Sequence, residues 1–411
     1  MQPLDTALVA RVAREHGTPC YLYDAAVMRE RLASLSAFDV VRYAQKACSN
    51  THILRLLRAE GALVDAVSLG EIERALRAGF TAEGEPAGLV YTADVLDAAT
   101  LARVVELRIP VNAGSPDMLE QLGRSAPGHR VWIRVNPGFG HGHSRKTNTG
   151  GPLSKHGVWH EYLDEALRHV EKYRLDLIGL HMHIGSGTDF EHLKQVCEAM
   201  VEQVCALGVD VRAISGGGGL PIPYKSGDLP FDTAALHALW DAARRRVEKM
   251  VTHPVSLEIE PGRYLVAESG VLIAEVRAVK RSGPNRFLLV DAGFNDLMRP
   301  AMYGSYHAIS VVRRDGSAAG GAAQPTLVGG PLCESGDVFT QEEGGIVVPR
   351  ELPDAQVGDY VVLHDAGAYG AAMASNYNTR GVAPEVLLDG GRTRLIRRRQ
   401  TVAELLALEE V

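Results

Sequence analysis

Short apolar runs and amphipathic stretches alternate along the first two thirds of the chain. β-Branched and aliphatic residues gather at 40–47, 62–68, 89–93, 110–113, 131–136, 177–184, 211–215 and 255–260. Such runs predict buried strands, because a strand covered on both faces has no side on which to display polar groups. Between them, 52–60, 69–78, 95–107, 117–124, 161–173, 191–207 and 233–250 place apolar residues three and four apart, as in helices with one buried face. Eight strands alternating with helices predict an α/β architecture, a (β/α)8 barrel. The alternative is an open doubly wound sheet, which the strand count and the lack of a GxGxxG run after the first strand disfavour.

After Gly262 the rhythm changes. Runs at 271–279, 286–290, 325–327 and 360–364 follow one another without intervening helices, which predicts a C-terminal β domain. A strand at 20–23 is a candidate to pair with it, bringing the two chain ends together. The expected boundaries are 25–265 for the barrel, and 1–24 with 266–411 for the β domain. Residues 316–324, rich in Gly and Ala, read as a mobile loop tip. Residues 138–157, rich in Gly, His and Asn, read either as a lid over the barrel mouth or as a long disordered loop.

Composition narrows the function. The chain has 411 residues, 46% hydrophobic and 23% charged, near globular averages. A formal charge of -7 without a basic block argues against nucleic acid or an anionic membrane as partner and favours a small molecule. The five cysteines (Cys20, Cys48, Cys197, Cys205, Cys333) show no CxxC spacing, which suits a reducing compartment. The start Met-Gln-Pro-Leu-Asp-Thr lacks a basic and then apolar leader, and no apolar stretch approaches a bilayer span, so a cytoplasmic location is expected.

In such a barrel the active site lies at the carboxyl ends of the strands. Lys46 closes the first run. A lysine partly desolvated there is suited to Schiff-base chemistry, and its plain reading is a surface lysine ending a strand. In the sixth run, alternation places His181 and His183 on one face, able to stack on a flat ring, to bind a metal, or to serve as hydrogen-bonded core residues. No acidic or cysteine partner with matching spacing accompanies them, so no metal is expected. The seventh run leads into Gly216, Gly217, Gly218 and Gly219, whose N–H groups suit a phosphate. Ser186 either adds a hydroxyl to that phosphate or caps the next helix. Glu260 ends the eighth run, a carboxylate fit for a protonated pyridine nitrogen or for a structural pair with Arg263. Together these groups describe a site for pyridoxal 5'-phosphate (PLP).

The segments Tyr-Ala-Gln-Lys-Ala, His-Met-His-Ile-Gly-Ser, Gly-Gly-Gly-Leu, Glu-Pro-Gly-Arg, Cys-Glu-Ser-Gly-Asp and Gly-Ala-Tyr-Gly closely resemble the diaminopimelate decarboxylase family over essentially the whole chain. The long stretches 291–306 and 397–408 look like its enterobacterial type. The resemblance implies an alanine-racemase-like barrel joined to a C-terminal β domain, a homodimer with shared active sites, and PLP-dependent decarboxylation of meso-2,6-diaminopimelate to L-lysine and CO2, the last step of lysine biosynthesis. It further implies that Lys46 forms the internal aldimine, His183 stacks on the ring, Ser186, Gly217, Gly218 and Gly219 hold the phosphate, and Glu260 meets the pyridine nitrogen. Arg263, Arg299, Tyr303 and Glu334 would contact substrate, and Tyr369 the cofactor phosphate or substrate. Cys333 would donate a proton from the partner subunit, although by itself it reads as a buried structural thiol. Two departures from the family pattern are Cys48, where many relatives carry Asn, and Thr379-Arg380-Gly381 in place of Ser-Arg-Pro. The second raises the question of loop shape, since glycine frees a φ angle that proline fixes. Rival readings are a decarboxylase of ornithine, arginine or a carboxylated polyamine, a racemase, and a PLP-binding homeostasis protein. The last lacks a β domain.

Overall fold

The eight apolar runs form a closed parallel barrel in the computed structural model, which describes residues 5–141, 148–186 and 189–410. Its strands are Val40–Ala44, Leu63–Ala66, Leu89–Ala93, Val111–Ala113, Arg130–Asn136, Asp176–Met182, Ala213–Ser215 and Ser256–Ile259. Each pairs in parallel with its neighbours, and the ring closes where Ser256–Ile259 meets Val40–Ala44. Helices follow the strands as expected. The segment Leu69–Ala78 shows why: Ser68 Oγ accepts from Glu71 N–H at its start, Ile72, Ala75 and Ala78 are buried, and Gly79 ends it at φ 96°. Such a cap contributes about 1 kcal/mol.

The predicted runs overshoot the strands at their carboxyl ends. The first strand stops at Ala44, the sixth at Met182 and the eighth at Ile259. Lys46, His183 and Glu260 therefore stand just past the ladder, and Lys46 sits on a single 3-10 turn, Gln45–Ala47. The apolar pattern continues past the strand because Ala47 and Cys48 remain buried. Lower in the barrel, Arg42 and Glu258 form an enclosed ion pair at 2.6 Å, and Arg42 Nη1 also donates to the Ala87 carbonyl at 2.6 Å. Enclosed charges need such complete partnering.

Residues Arg29–Ile222 and Pro230–Tyr264 form one compact unit, the barrel; Met1–Met28, Pro223–Leu229 and Leu265–Val411 form the other. In the second unit Cys20–Asp24 lies between two strands, antiparallel to Gly270–Ser282 and parallel to Glu385–Asp389, so the two ends of the chain share one sheet. That sheet continues through Asn285–Val290, Gln324–Gly329 and Arg350–Leu352 on one side and Arg392–Arg397 on the other. Helix Thr6–His16 buries Leu8, Val9, Val12 and Ala13 against Cys20, Leu22, Ile273, Val362 and Val386. The expected loop tip at 316–324 is entered through a reversal in which Arg313 N–H donates to the Ser317 carbonyl at 2.9 Å. Among the described residues no helix is long and apolar enough to cross a membrane.

Candidate active site

The turn carrying Lys46 is anchored from below. Gln45 is fully buried, and its Nε2 donates to the carbonyls of Asp65 and Glu71 at 3.3 and 3.2 Å. The Ala44 N–H donates to the Pro261 carbonyl at 3.2 Å, which holds the Lys46 turn against the Glu260-Pro261-Gly262 turn. Lys46 itself is exposed.

Glu260 accepts a 2.7 Å hydrogen bond from His181 Nε2, and both are buried. His181 is thus a positioned core histidine, and the structural pair imagined between Glu260 and Arg263 gives way to a pair with His181. Burial pushes the Glu260 carboxyl up, but the charge and hydrogen bond of His181, with the charges of Arg42 and Lys46, outweigh it and hold the group below its usual value. Asp65 behaves oppositely. Burial and then the charge of Glu260 raise its carboxyl well above the usual range, and its Oδ1 has no partner. Two enclosed carboxyls are thereby pushed in opposite directions by their surroundings. His183 is half-buried with an enclosed Nδ1, and burial, then the charges of Arg134 and Lys46, keep its imidazole well below its ordinary value. A neutral, flat ring is what results.

The glycine loop packs against His183. A side chain at Gly217 would bring Cβ within 2.6 Å of His183 Cβ, and one at Gly219 within 2.2 Å of the Gly185 carbonyl, while both residues have left-handed φ (62° and 97°). Only glycine satisfies both conditions. Ser186 Oγ accepts from Arg263 Nη2 at 2.9 Å. Ser186 does not cap the next helix; Asp189 does, accepting from His192 N–H. Of the expected lid, residues 142–147 lie outside the described residues; its flanks reach the same corner, with His141 and Thr149 N–H both donating to the Ile184 carbonyl.

Sequence reasoning passed over several groups here. Asp65, Arg134 and Asp94 are polar side chains at or near strand ends, Asp94 is bonded to His156, and Glu71 stands in the first turn of helix Leu69–Ala78. Asp94 is held below its usual value because the His156 hydrogen bond and the Arg134 charge outweigh burial. The strand-end rule applied to Lys46 would also have found Asp65, one residue before the end of Leu63–Ala66.

The remaining candidates belong to the second unit. Arg299 is buried; its Nη1 donates to His307 Nε2 at 3.0 Å and its Nη2 to Ser305 Oγ at 3.3 Å, and it lies 5.0 Å over the Tyr224 ring. His307 Nδ1 in turn donates to the His364 carbonyl at 2.8 Å. Tyr303 ends the same short helix, Arg299–Tyr303. Cys333 and Glu334 are exposed, which corrects the reading of Cys333 as a buried structural thiol. Their loop is shaped by Asp337, whose carboxylate accepts from Leu332 and Phe294 N–H, and by Asn378, whose Oδ1 accepts from Cys333 N–H. Tyr369 holds φ 57°, uncommon for a large residue. Gly381 is explained by crowding rather than by φ: a Cβ there would lie 2.1 Å from the Gln400 carbonyl.

PLP presents an anion, a flat ring, a pyridine nitrogen and an aldehyde. The barrel mouth offers a side-chain-free cradle, a neutral imidazole with an enclosed orphan nitrogen, an ionised carboxylate and an accessible amine, so its residues fit that group.

Comparison with known proteins agrees. The pyridoxal binding domain of the pyridoxal-dependent decarboxylases matches residues 25–267. A diaminopimelate decarboxylase of Streptomyces coelicolor is 64% identical over 99% of this chain and 92% of its own length. A crystal structure of a diaminopimelate decarboxylase superposes with a TM-score of 0.96 at 61% identity, covering 98% of this chain and 96% of that one. Another, from Helicobacter pylori and complexed with L-lysine, gives 0.83 at 32% identity, covering 97% and 98%. The chain belongs to the diaminopimelate decarboxylase family of PLP-dependent enzymes.

Proposed function

We propose that this protein decarboxylates meso-2,6-diaminopimelate to L-lysine and CO2 with PLP as cofactor. The observation that carries this reading is the pairing of an ionised Glu260 with the glycine cradle beside a neutral His183, at the mouth that carries Lys46. The relatives' activity and the L-lysine complex of the Helicobacter pylori enzyme support the choice of substrate.

Bound PLP supplies an electron sink for the pair left when a carboxylate departs. Lys46 holds it covalently between turnovers. Ser186, Gly217, Gly218 and Gly219 bind its phosphate with hydroxyl and N–H donors, His183 covers one ring face, and Tyr369 contributes at the phosphate or the substrate. Glu260 keeps the pyridine nitrogen protonated, and His181, donating from Nε2, fixes the carboxylate's orientation. Arg263, Arg299, Tyr303 and Glu334 form the substrate-facing set. Arginine forks suit the distal carboxylate and Glu334 the distal ammonium. Gripping that end would fix the orientation of the substrate at the barrel mouth and so select the carboxylate that is lost. Cys333 of a second subunit returns the proton from Sγ to Cα in a homodimer. Its exposure in the single chain is compatible with that role.

Purified holoenzyme should release CO2 from meso-diaminopimelate and show negligible conversion of L-lysine to cadaverine. Comparable turnover of both would overturn the assignment of the substrate-facing set. Lys46→Ala should abolish the visible absorption of the cofactor-loaded protein and its turnover together; retained absorption would remove Lys46 from its anchoring role.

A further inference from the structure

Among the described residues, His141, Asp189 and His192 form a group whose ligand atoms all lie within 4.8 Å of one another, and none of them has a part in the site above. Asp189 caps helix Phe190–Leu207, its Oδ1 accepting from both the N–H and Nδ1 of His192, at 3.0 and 2.8 Å. Capping accounts for that half. It does not account for His141, which arrives from the loop after Arg130–Asn136, places Nε2 3.5 Å from the other carboxylate oxygen, and stacks on His192 with ring centroids 3.9 Å apart. Two imidazoles from separate segments thus converge on one carboxylate.

We propose that His141, Asp189 and His192 bind one divalent transition-metal ion of the zinc class. With metal–nitrogen and metal–oxygen bonds of about 2.0–2.1 Å, neighbouring ligands of a tetrahedral ion stand about 3.4 Å apart. The His141–Asp189 spacing of 3.5 Å already has that value. The His192–Asp189 contact must open from 2.8 Å, and the stacked rings must splay so that their in-plane lone pairs converge. Imidazole χ2 torsions are soft, and both rings are about one third exposed (33% and 34%), so this motion meets little packing. A two-imidazole, one-carboxylate set suits zinc, nickel, cobalt or copper rather than magnesium or calcium, which prefer oxygen throughout. Three protein ligands leave the fourth position to water. The bound ion ties the helix start to the segment whose His141 N–H donates to the Ile184 carbonyl, the residue next to His183. This inference stands apart from the catalytic reading.

The test is calorimetric titration of tag-free holoenzyme with Ni(II), and with Co(II) followed through its visible d–d absorption. One ion per chain is expected. Removing one ligand should weaken binding by roughly tenfold or more, by analogy with the loss seen when even an outer partner of a metal site is removed. His141→Ala and His192→Ala should each show this loss. Asp189→Ser keeps a helix-capping hydroxyl while removing the carboxylate and should show it too, separating ligation from helix stability. Cys205→Ser and Cys333→Ser, which remove the exposed thiols, should bind as the parent does. Parent-like affinity in either histidine variant, or loss only in the cysteine variants, would overturn the proposal.

Discussion

At the scale of single residues, the molecule separates like groups by their surroundings. Asp65 and Glu260 are both enclosed carboxyls, yet one is pushed up by burial and by its neighbour's charge while the other is held down by His181, Arg42 and Lys46. Asp365 shows the cost of such enclosure where the charge of Arg299 compensates only in part. Burial, then the charge of Glu268, raises it from 3.8 to about 7; its Oδ2 has no partner, and its φ is 54°. Between those pH values the unfolded chain gives up a proton that folded Asp365 keeps, so raising the pH favours unfolding, and the penalty is complete above about 7. Asn is neutral and tolerates the left-handed region. Asp365→Asn should therefore raise the melting temperature more at pH 8 than at pH 4.5 in differential scanning fluorimetry, and an equal effect at both pH values would refute the assigned titration.

At the scale of elements, the site is a set of turns held just past strand ends. The glycine loop after Ala213–Ser215 is the most constrained of them. Gly219→Ala adds a left-handed strain of roughly 1–2 kcal/mol, and its Cβ would meet the Gly185 carbonyl at 2.2 Å. PLP affinity should fall at least about tenfold, since each 1.4 kcal/mol is tenfold; unchanged affinity in a fluorescence titration would remove the loop from the phosphate site. The strand runs, the glycine loop and Lys46 were legible because each is local, a composition change read within a few residues. Asp65, Arg134 and the Asp94–His156 pair were not, because a single polar residue closing an apolar run carries no signature until its partner is known. The same holds for His181, whose work is defined by Glu260, far along the chain. In the β unit, Glu385–Asp389 and Arg392–Arg397 escaped notice because Arg392, Arg394 and Arg397 hide a short strand within a charged stretch.

At the scale of the whole molecule, the proposed anchoring lysine and the proposed proton donor sit in different units of the chain, Lys46 in the barrel and Cys333 in the β unit. If each site takes Cys333 from a second subunit, two inactive proteins should rescue one another. Mixing Lys46→Ala with Cys333→Ala dimers and allowing exchange should restore about a quarter of wild-type turnover, because random pairing puts one intact site in half of the dimers. No recovery after verified exchange would place both groups in one chain. The sheet of the β unit carries a further consequence, one of timing. Cys20–Asp24 is synthesised early, yet its antiparallel neighbour begins at Gly270 and its parallel one at Glu385. At roughly 5–20 residues per second, the nascent strand waits on the order of 12–50 s for its first edge. During that interval Tyr21, Leu22 and Tyr23 remain without the strand neighbours they have in the folded unit. The burial of Cys20–Asp24 thus has to wait for strands made long after it, and its sheet is complete only once Glu385–Asp389 has been synthesised.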